Sequence, residues 1–237
     1  MTRKETVDEF DKNGFEILKD VFPPERCDAL AGELSAMHHQ RTKSAKTRLG
    51  GVRNLLRLLP RINDVANSSE IMDVLKKHLT KPAFPVRALF FDKTADANWR
   101  VAWHQDLTIA VAERIETPEF EAWSIKEEIH HVHPPTRILE GMATVRLHLD
   151  DCHAQNGALK VIPGSHLEGK LNASQIKDRL ENGNACVCEV PKGGAMLMRP
   201  LLLHASSPAE NPSHRRVLHI EYATDELPNG LRWFERQ

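Results

Sequence analysis

A double-sheet jelly roll with helices packed outside it is the fold class this sequence predicts, and three observations carry the prediction. From residue 84 the chain breaks into short β-rich runs: FPVRALFFDKT, WRVAWHQDLTI, MATVRLHLDDC, GALKVIPGS, CVCEVPKGG, AMLMRPLLLHASS and RRVLHIEYA. Turn-forming pairs separate them, among them Asn156-Gly157, Pro163-Gly164 and Gly193-Gly194. No regular helix alternates with these runs and no GxGxxG is present, which argues against a doubly wound nucleotide-binding sheet. A mainly β chain with some helix remains, and two packed sheets suit it.

The elements before residue 84 follow in order. TVDEFDKNG reads as a short helix stopped at Gly14, and FEILKDVF as an extended segment. PPERCDALAGELSAMHHQ has prolines suited to a first helical turn and then apolar residues at helical spacing. Residues 41–63 carry seven basic side chains (Arg41, Lys43, Lys46, Arg48, Arg53, Arg57 and Arg61) and no acid. Such a run is usually a solvated loop; the functional reading is a flap that meets an anionic substrate. SSEIMDVLKKHL is expected to be an amphipathic helix with Ser69 as its N-cap. Residues 112–140, rich in Glu, His and Pro, interrupt the β series as an insert, and residues 172–182 read as a short surface helix. One domain is expected over 1–237, with 1–82 its N-terminal helical part and 83–237 a β core carrying the insert.

Composition narrows the function classes. A chain that is 41% hydrophobic and 27% charged is ordinary for a soluble globular protein. A net charge of −1 leaves no overall field to draw it to nucleic acid or a membrane surface. No apolar run approaches the roughly 18 residues a membrane-spanning helix needs, and the polar start MTRKETVDEFDKNG has no signal-peptide core. Cys27, Cys152, Cys186 and Cys188 show no CxxC spacing and are read as free thiols in a reducing cytoplasm.

The chemistry begins at His104 and Asp106. Two apart on a strand, an imidazole and a carboxylate project to one face. A pair of this kind is common as a satisfied structural contact. What raises it is RPLLLHASSPAENPSHRRVLHIEY: His204 closes an apolar run about a hundred residues later, and Arg215 opens the next strand. In a jelly roll such strands can face each other, and two His with one Asp then form a facial triad with open metal positions, as non-haem Fe(II) oxygenases use. Arg215 supplies the fixed bidentate charge that the distal carboxylate of a co-substrate needs, and Ser206 can add a hydroxyl to the same group. Alternation along the strand sends Arg215 and Arg216 to opposite faces, so at most one of them points inward.

HQD, NGALKVIPGSH, HAS and an Arg eleven residues after the second His occur here in one order, and the chain thereby resembles the phytanoyl-CoA dioxygenase family from FDKNGFEIL to HIEYA. The resemblance implies a cupin-like double-stranded β-helix and an oxygenase that uses Fe(II), 2-oxoglutarate and O2. It implies His104, Asp106 and His204 as iron ligands, Arg215 with Ser206 at the distal carboxylate of 2-oxoglutarate, and Gln105 near the co-substrate. Where some relatives carry Trp, this chain has Arg146, either a further co-substrate contact or a buried ion-pair partner. Relatives that halogenate lack the carboxylate ligand; Asp106 is present, so hydroxylation of a small organic substrate is expected, yielding succinate and CO2.

Substrate contacts are sought in Lys93, near the metal strand, in Trp103 and Trp123, and in His131 of the HHVHPP insert; for the Trp residues the default is core packing. A second metal site at His130, His131 and His133 is disfavoured, since His-rich segments before Pro-Pro are more often surface. His148, His166 and His219 read as structural. Two other function classes stay open: a cupin-like isomerase or hydrolase that uses no 2-oxoglutarate, and a non-catalytic binding module on the same scaffold. Arg215 with Ser206 argues against the first, and an intact ligand trio against the second. The partner is expected to be a small molecule, an anionic one being compatible with the basic segment, with no nucleic acid or membrane.

Overall fold

The structure, a computed structural model, describes residues 9–44 and 51–236. Its order begins α1 (Glu9–Asn13), β1 (Phe15–Leu18), α2 (Pro24–Ser44), β2 (Gly51–Val52), α3 (Leu55–Leu58), α4 (Pro60–Ala66) and α5 (Ser69–His78). The β part follows as β3 (Phe84–Lys93), β4 (Val101–His104), β5 (Ile109–Val111), β6 (Glu121–Lys126), β7 (Ile129–His133), α6 (Thr136–Glu140) and β8 (Ala143–His148). It ends with β9 (Leu159–Val161), α7 (Ala173–Asn182), β10 (Cys186–Cys188), β11 (Ala195–Met198), β12 (His204–Ser206) and β13 (Arg215–Ala223).

Three antiparallel sheets result, which is the jelly roll expected, with an addition. The larger has the order β1-β11-β8-β13-β3-β2, the smaller β10-β9-β12-β4, and in a third, β5-β7-β6, the insert's β6 and β7 join β5 just before it. The insert is thus largely a hairpin of β6 and β7, where the sequence offered no turn signal. Lys126 pairs with Ile129 across Glu127 and Glu128, both at positive φ (52° and 64°). A two-residue hairpin loop of this kind needs left-handed backbone, which Asn-Gly usually provides.

Alternation explains what the larger sheet does. On β3, Ala88 and Phe90 face the helices; on β8, Ala143, Val145 and Leu147 do; on β13, Leu218, Ile220 and Tyr222 do. They form one buried cluster with Phe22, Leu30 and Leu34 of the α2 region and Leu55, Ile62, Ile71 and Leu75 of the following helices. The residues between them, Arg87, Leu89 and Phe91 on β3, Arg146 on β8, and Arg215, His219 and Glu221 on β13, line a cavity on the opposite face. A one-residue slip in any of these strands would exchange core and cavity, so the apolar face holds the register that places the polar one.

Two buried side chains tie the layers together. Tyr222 Oη donates to the Ala66 carbonyl at 2.9 Å, joining β13 to the end of α4. Tyr222→Phe leaves that carbonyl unpaired and is expected to lower unfolding stability by about 1–2 kcal/mol, read from urea denaturation. Glu235, near the end of the chain and fully buried, accepts from the backbone N–H of Leu56 at 3.0 Å and of Ala88 at 3.3 Å. Burial pushes its carboxyl up to about 7 from 4.5. A carboxyl whose folded pKa is raised binds its proton more tightly when folded, so this contribution is full below pH 4.5 and is lost as pH rises to about 7. The swing is on the order of 3 kcal/mol, and Glu235→Gln is expected to flatten stability between pH 5 and 7.5.

Several local expectations shift. The N-cap of α5 is Ser68, one residue earlier than Ser69, because Ser68 has the extended backbone of a cap and Ser69 is already helical. The basic segment is not one loop: α2 runs through Arg41, and Arg57 and Arg61 lie on α3 and α4. Arg57 stacks on the Phe234 ring at 4.7 Å and Arg61 reaches Glu33 at 3.5 Å. The apolar residues Leu55, Leu56, Ile62 and Val65 bury the inner faces of these helices, and their basic residues are the outer faces. Lys46 and Arg48 lie outside the described residues, as does the side chain of Lys43. Helix α7 is the surface helix expected, with Asn172 as its cap.

Candidate metal centre and co-substrate pocket

His104 ends β4 and His204 opens β12, and the two are directly paired across antiparallel strands. Their rings lie 4.2 Å apart between centroids. Each Nδ1 meets a backbone carbonyl two residues earlier, Ala102 at 2.9 Å for His104 and Leu202 at 2.8 Å for His204. A carbonyl only accepts, so each Nδ1 is the protonated nitrogen and each Nε2 keeps its lone pair. Those lone pairs meet Asp106: Oδ1 lies 3.6 Å from His104 Nε2, and Oδ2 3.7 Å from His204 Nε2. Ligand atoms of the three residues all fall within 4.8 Å of one another. This donor set, two imidazole nitrogens and one carboxylate oxygen with their outer nitrogens already held, fits a divalent metal of the iron type.

Strand alternation is not what unites His104 with Asp106. β4 stops at His104, and Asp106 is placed beyond it by its backbone N–H, which donates to the Pro200 carbonyl at 2.9 Å. Gln105 holds the same bend. Its amide donates to the carbonyls of Gly169 (2.8 Å) and Leu201 (2.6 Å) and accepts from Leu171 N–H (2.8 Å). Gln105 lines the cavity and, through these three backbone contacts, also positions the bend.

Electrostatics divides the trio. Burial works to raise the Asp106 carboxyl, but His204 and His104 hold it below the ordinary carboxylate range. Burial pushes His204 down to about 4, against the pull of Asp106. His104, more exposed, is raised by the Asp106 carboxylate beside it. The two imidazoles shift in opposite senses beside one carboxylate because only His204 is fully desolvated.

Next to this centre lie three buried cations. Arg215 donates through Nη1 to the Gly157 carbonyl at 3.0 Å, while its Nε is buried without a partner. Lys93, cross-strand neighbour of Arg215, donates to Ser206 Oγ at 3.2 Å and to the Ser207 carbonyl at 2.6 Å. Burial, then Arg215, lowers the Lys93 ammonium to about 8. Arg146 Nη1 meets His219 Nδ1 at 2.8 Å, and its Nε is also without a partner. Burial, then Arg215, brings the Arg146 guanidinium down to about 10. Among the described residues no carboxylate pairs with Lys93, Arg146 or Arg215. Unbalanced buried cations with spare donors fit a dicarboxylate such as 2-oxoglutarate. Gly157, at φ 84°, makes the close approach possible, since a Cβ there would stand 2.7 Å from the Ser207 carbonyl oxygen.

The centre shares a cavity of about 460 Å³ with Arg146, Arg215 and Ser206, and Lys93 stands behind Ser206. Arg216 points away and forks onto Asp150 at 2.6 and 2.8 Å, so alternation does divide it from Arg215. Trp103 packs on Ile162, Leu171 and Leu203 instead of the cavity wall. Trp123 packs on the cluster beneath the third sheet, with Arg114 5.4 Å from its ring. His131 is buried behind the wall, its Nδ1 on the Ile129 carbonyl at 3.0 Å and its Nε2 3.5 Å from Arg87. His219, read from sequence as structural, does line the cavity.

Trp99, a further Trp the sequence offers as a pocket wall, Arg53 of the basic segment and His133 of the insert do line the cavity, while sequence reasoning passed over Arg87, Lys126 and Glu221 on the same wall. A signal was available for two of them: Arg87 and Lys93 share parity on β3 as Arg215 and Glu221 do on β13. The pairing aligns Lys93 with Arg215 and Arg87 with Glu221.

Residues 10–217 match the family model described as phytanoyl-CoA dioxygenase (PhyH). No curated protein matches the chain in sequence. Among solved structures, the fold is similar to SnoK, a non-haem α-ketoglutarate-dependent carbocyclase of nogalamycin biosynthesis, at TM-score 0.71 and 14% identity, over 95% of this chain and 85% of that one. It is similar to EctD of S. alaskensis, solved with 2-oxoglutarate and 5-hydroxyectoine, at TM-score 0.72 and 16% identity, over 94% and 76%. HygX of Streptomyces hygroscopicus, solved with iron, gives TM-score 0.62 and 14% identity over 94% and 87%. At such identities these structures speak for the cupin-like jelly-roll fold.

Proposed function

The chain belongs to the phytanoyl-CoA dioxygenase family and is a non-haem Fe(II)- and 2-oxoglutarate-dependent dioxygenase of a small molecule, and on that premise we propose that it hydroxylates an anionic substrate, with His104, Asp106 and His204 holding the iron. The observation that carries the reading is the meeting of two Nε2 lone pairs and a carboxylate beside buried cations that lack a counter-ion. When bound, iron with 2-oxoglutarate and O2 supplies an oxidant for substrate C–H, the keto acid leaving as succinate and CO2.

The chain's own residues do the positioning. The Ala102 and Leu202 carbonyls fix both imidazole tautomers, and Gln105 with the Pro200 carbonyl holds the bend that presents Asp106. Arg215 with Ser206 receives the distal carboxylate. Lys93 belongs at this anchor, not with the substrate, because its ammonium already bonds Ser206 Oγ. Arg146 completes the cationic wall behind it. An isomerase or hydrolase without 2-oxoglutarate would leave these donors without a purpose.

Charge balance supports an anionic substrate. The cavity wall carries five cationic side chains (Arg53, Arg87, Lys126, Arg146, Arg215) against Asp106 and Glu221. A ferrous ion and doubly charged 2-oxoglutarate cancel each other, so the excess positive charge persists. The enzyme works as one unit over the chain in a reducing cytoplasm, a placement supported by its four free thiols. No helix among the described residues is long and apolar enough to cross a membrane.

The test is anaerobic titration of metal-free protein with Fe(II) and then 2-oxoglutarate, followed in the visible. A weak metal-to-ligand charge-transfer band is expected. Tight iron binding with no such band would overturn the co-substrate assignment in favour of metal chemistry without 2-oxoglutarate.

A further inference from the structure

Beside the reaction cavity lies a second one of about 580 Å³, and the two share Arg53, Leu89, Phe91 and Trp99 as walls. They are adjacent, the inner one charged and holding the metal ligands, the outer one a partly apolar vestibule. At the vestibule Arg53, just after β2, reaches Glu127 at the tip of the β6–β7 hairpin, Nε to Oε1 at 3.1 Å. Lys126, next to Glu127, also lines the reaction cavity, and among the described residues no carboxylate pairs with it. Burial, then Arg53 and Arg87, disfavours its charge.

The hairpin tip is an unusual place for these residues. Glu127 and Glu128 both hold left-handed backbone without glycine or asparagine, a strained arrangement of the kind kept where it positions a functional group. What it positions is a carboxylate on Arg53, across the mouth of the cavity. Beside the Arg53–Glu127 pair, Lys126 is left as a cation without a carboxylate, while Asp96, also on the vestibule wall, has an interaction of its own.

We propose that the substrate is a monocarboxylic acid with an apolar body: its carboxylate is received by Lys126 and Arg53, displacing Glu127 as an internal placeholder, and its body lies along Leu89, Phe91 and Trp99. This rests on the oxygenase reading for what happens to the body, but not for how the acid is held. A carboxylate is the group that Glu127 already presents to Arg53, so a substrate carboxylate can take the same donor. Glu221 stays with Arg87, the pair being buried at 3.1 Å, so the outer pair is the one free to exchange partners.

The experiment is calorimetric titration of anaerobic, Fe(II)- and 2-oxoglutarate-loaded protein with 3-phenylpropionate and octanoate, with their primary amides, and with phenyl phosphate. The acids are expected to bind at least about tenfold more tightly than the amides, the worth of one charge-assisted hydrogen bond. Lys126→Gln should remove most of that preference, and Glu127→Gln should tighten the acids about threefold or more without helping the amides. Both positions are exposed on a hairpin tip, so neither substitution disturbs the core. Equal binding of acids and amides, a preference for phenyl phosphate, no binding of any acid at millimolar concentration, or a Glu127→Gln variant that binds acids no better would each overturn the proposal. The charge-transfer band read in the same samples separates the two hypotheses. Its absence would count against the oxygenase reading, and the acid-over-amide preference, repeated on metal-free protein, would still decide the vestibule.

Discussion

Asp106→Ala is expected to abolish the iron–2-oxoglutarate charge-transfer band and to reduce iron affinity by more than about 100-fold, beyond what loss of an outer-shell partner costs a metal site. The reason lies in how the trio is built. His104 and His204 are held by their own strands and carbonyls, so they stay paired at ring distance without Asp106. What is lost is the one anionic ligand and the group that stabilises positive charge beside a fully buried imidazole. The variant should still fold, because Gln105 and the Asp106 backbone N–H hold the bend without the Asp106 side chain. Iron binding by equilibrium dialysis, together with the visible spectrum, decides it. Iron affinity within a few-fold of the parent would remove Asp106 from the ligand set.

Arg215→Ala is expected to raise the 2-oxoglutarate concentration needed for half-maximal band intensity by about 100-fold, while iron binding without the keto acid changes little. Truncating one partner of a charge-assisted pair costs about 3 kcal/mol when the other is left in a dry pocket. Arg215→Lys should recover only part of this, since an ammonium cannot fork onto a carboxylate. Lys93 sharpens the test. With Arg215 gone, one of the three effects that bring the ammonium down to about 8 disappears, and some affinity is retained through Lys93. Lys93→Met with Arg215→Ala should therefore lose more than Arg215→Ala alone. If Arg215→Ala binds the keto acid as the parent does, the anchor lies elsewhere on the wall, with Arg146 the remaining buried guanidinium.

Both experiments test residues first seen as motifs, and the structure shows why motifs carried them so far. His104 and Asp106 are local, two residues apart, although the bend that unites them is held by distant backbone at Gly169, Leu171, Pro200 and Leu201. Arg215 and Ser206 follow His204 closely, and strand parity alone turns Arg215 inward while Arg216 goes to Asp150. The helices before residue 84 announced themselves through apolar spacing, except α3 and α4, where a run of arginines masked a short buried face. The β6–β7 hairpin went unread because its turn is Glu-Glu, two residues that ordinarily avoid the backbone they hold here. Trp103 and Trp123 went to packing, the usual fate of a Trp.

By itself the sequence determined the β-rich core, the helices outside it and the residue types able to hold iron and a dicarboxylate, because these are properties of periodicity and short spacing. Only the tertiary structure decided which distant strands meet. β12 brings His204 onto His104 across a hundred residues, and β13 lies between β3 and β8 so that Arg87, Arg146, Arg215 and Glu221 share one wall. That wall is invisible along the chain, since cross-strand register is set by burial of the opposite, apolar face. The same register that buries Phe90, Val145 and Ile220 against the helices turns the charges between them toward the cavity.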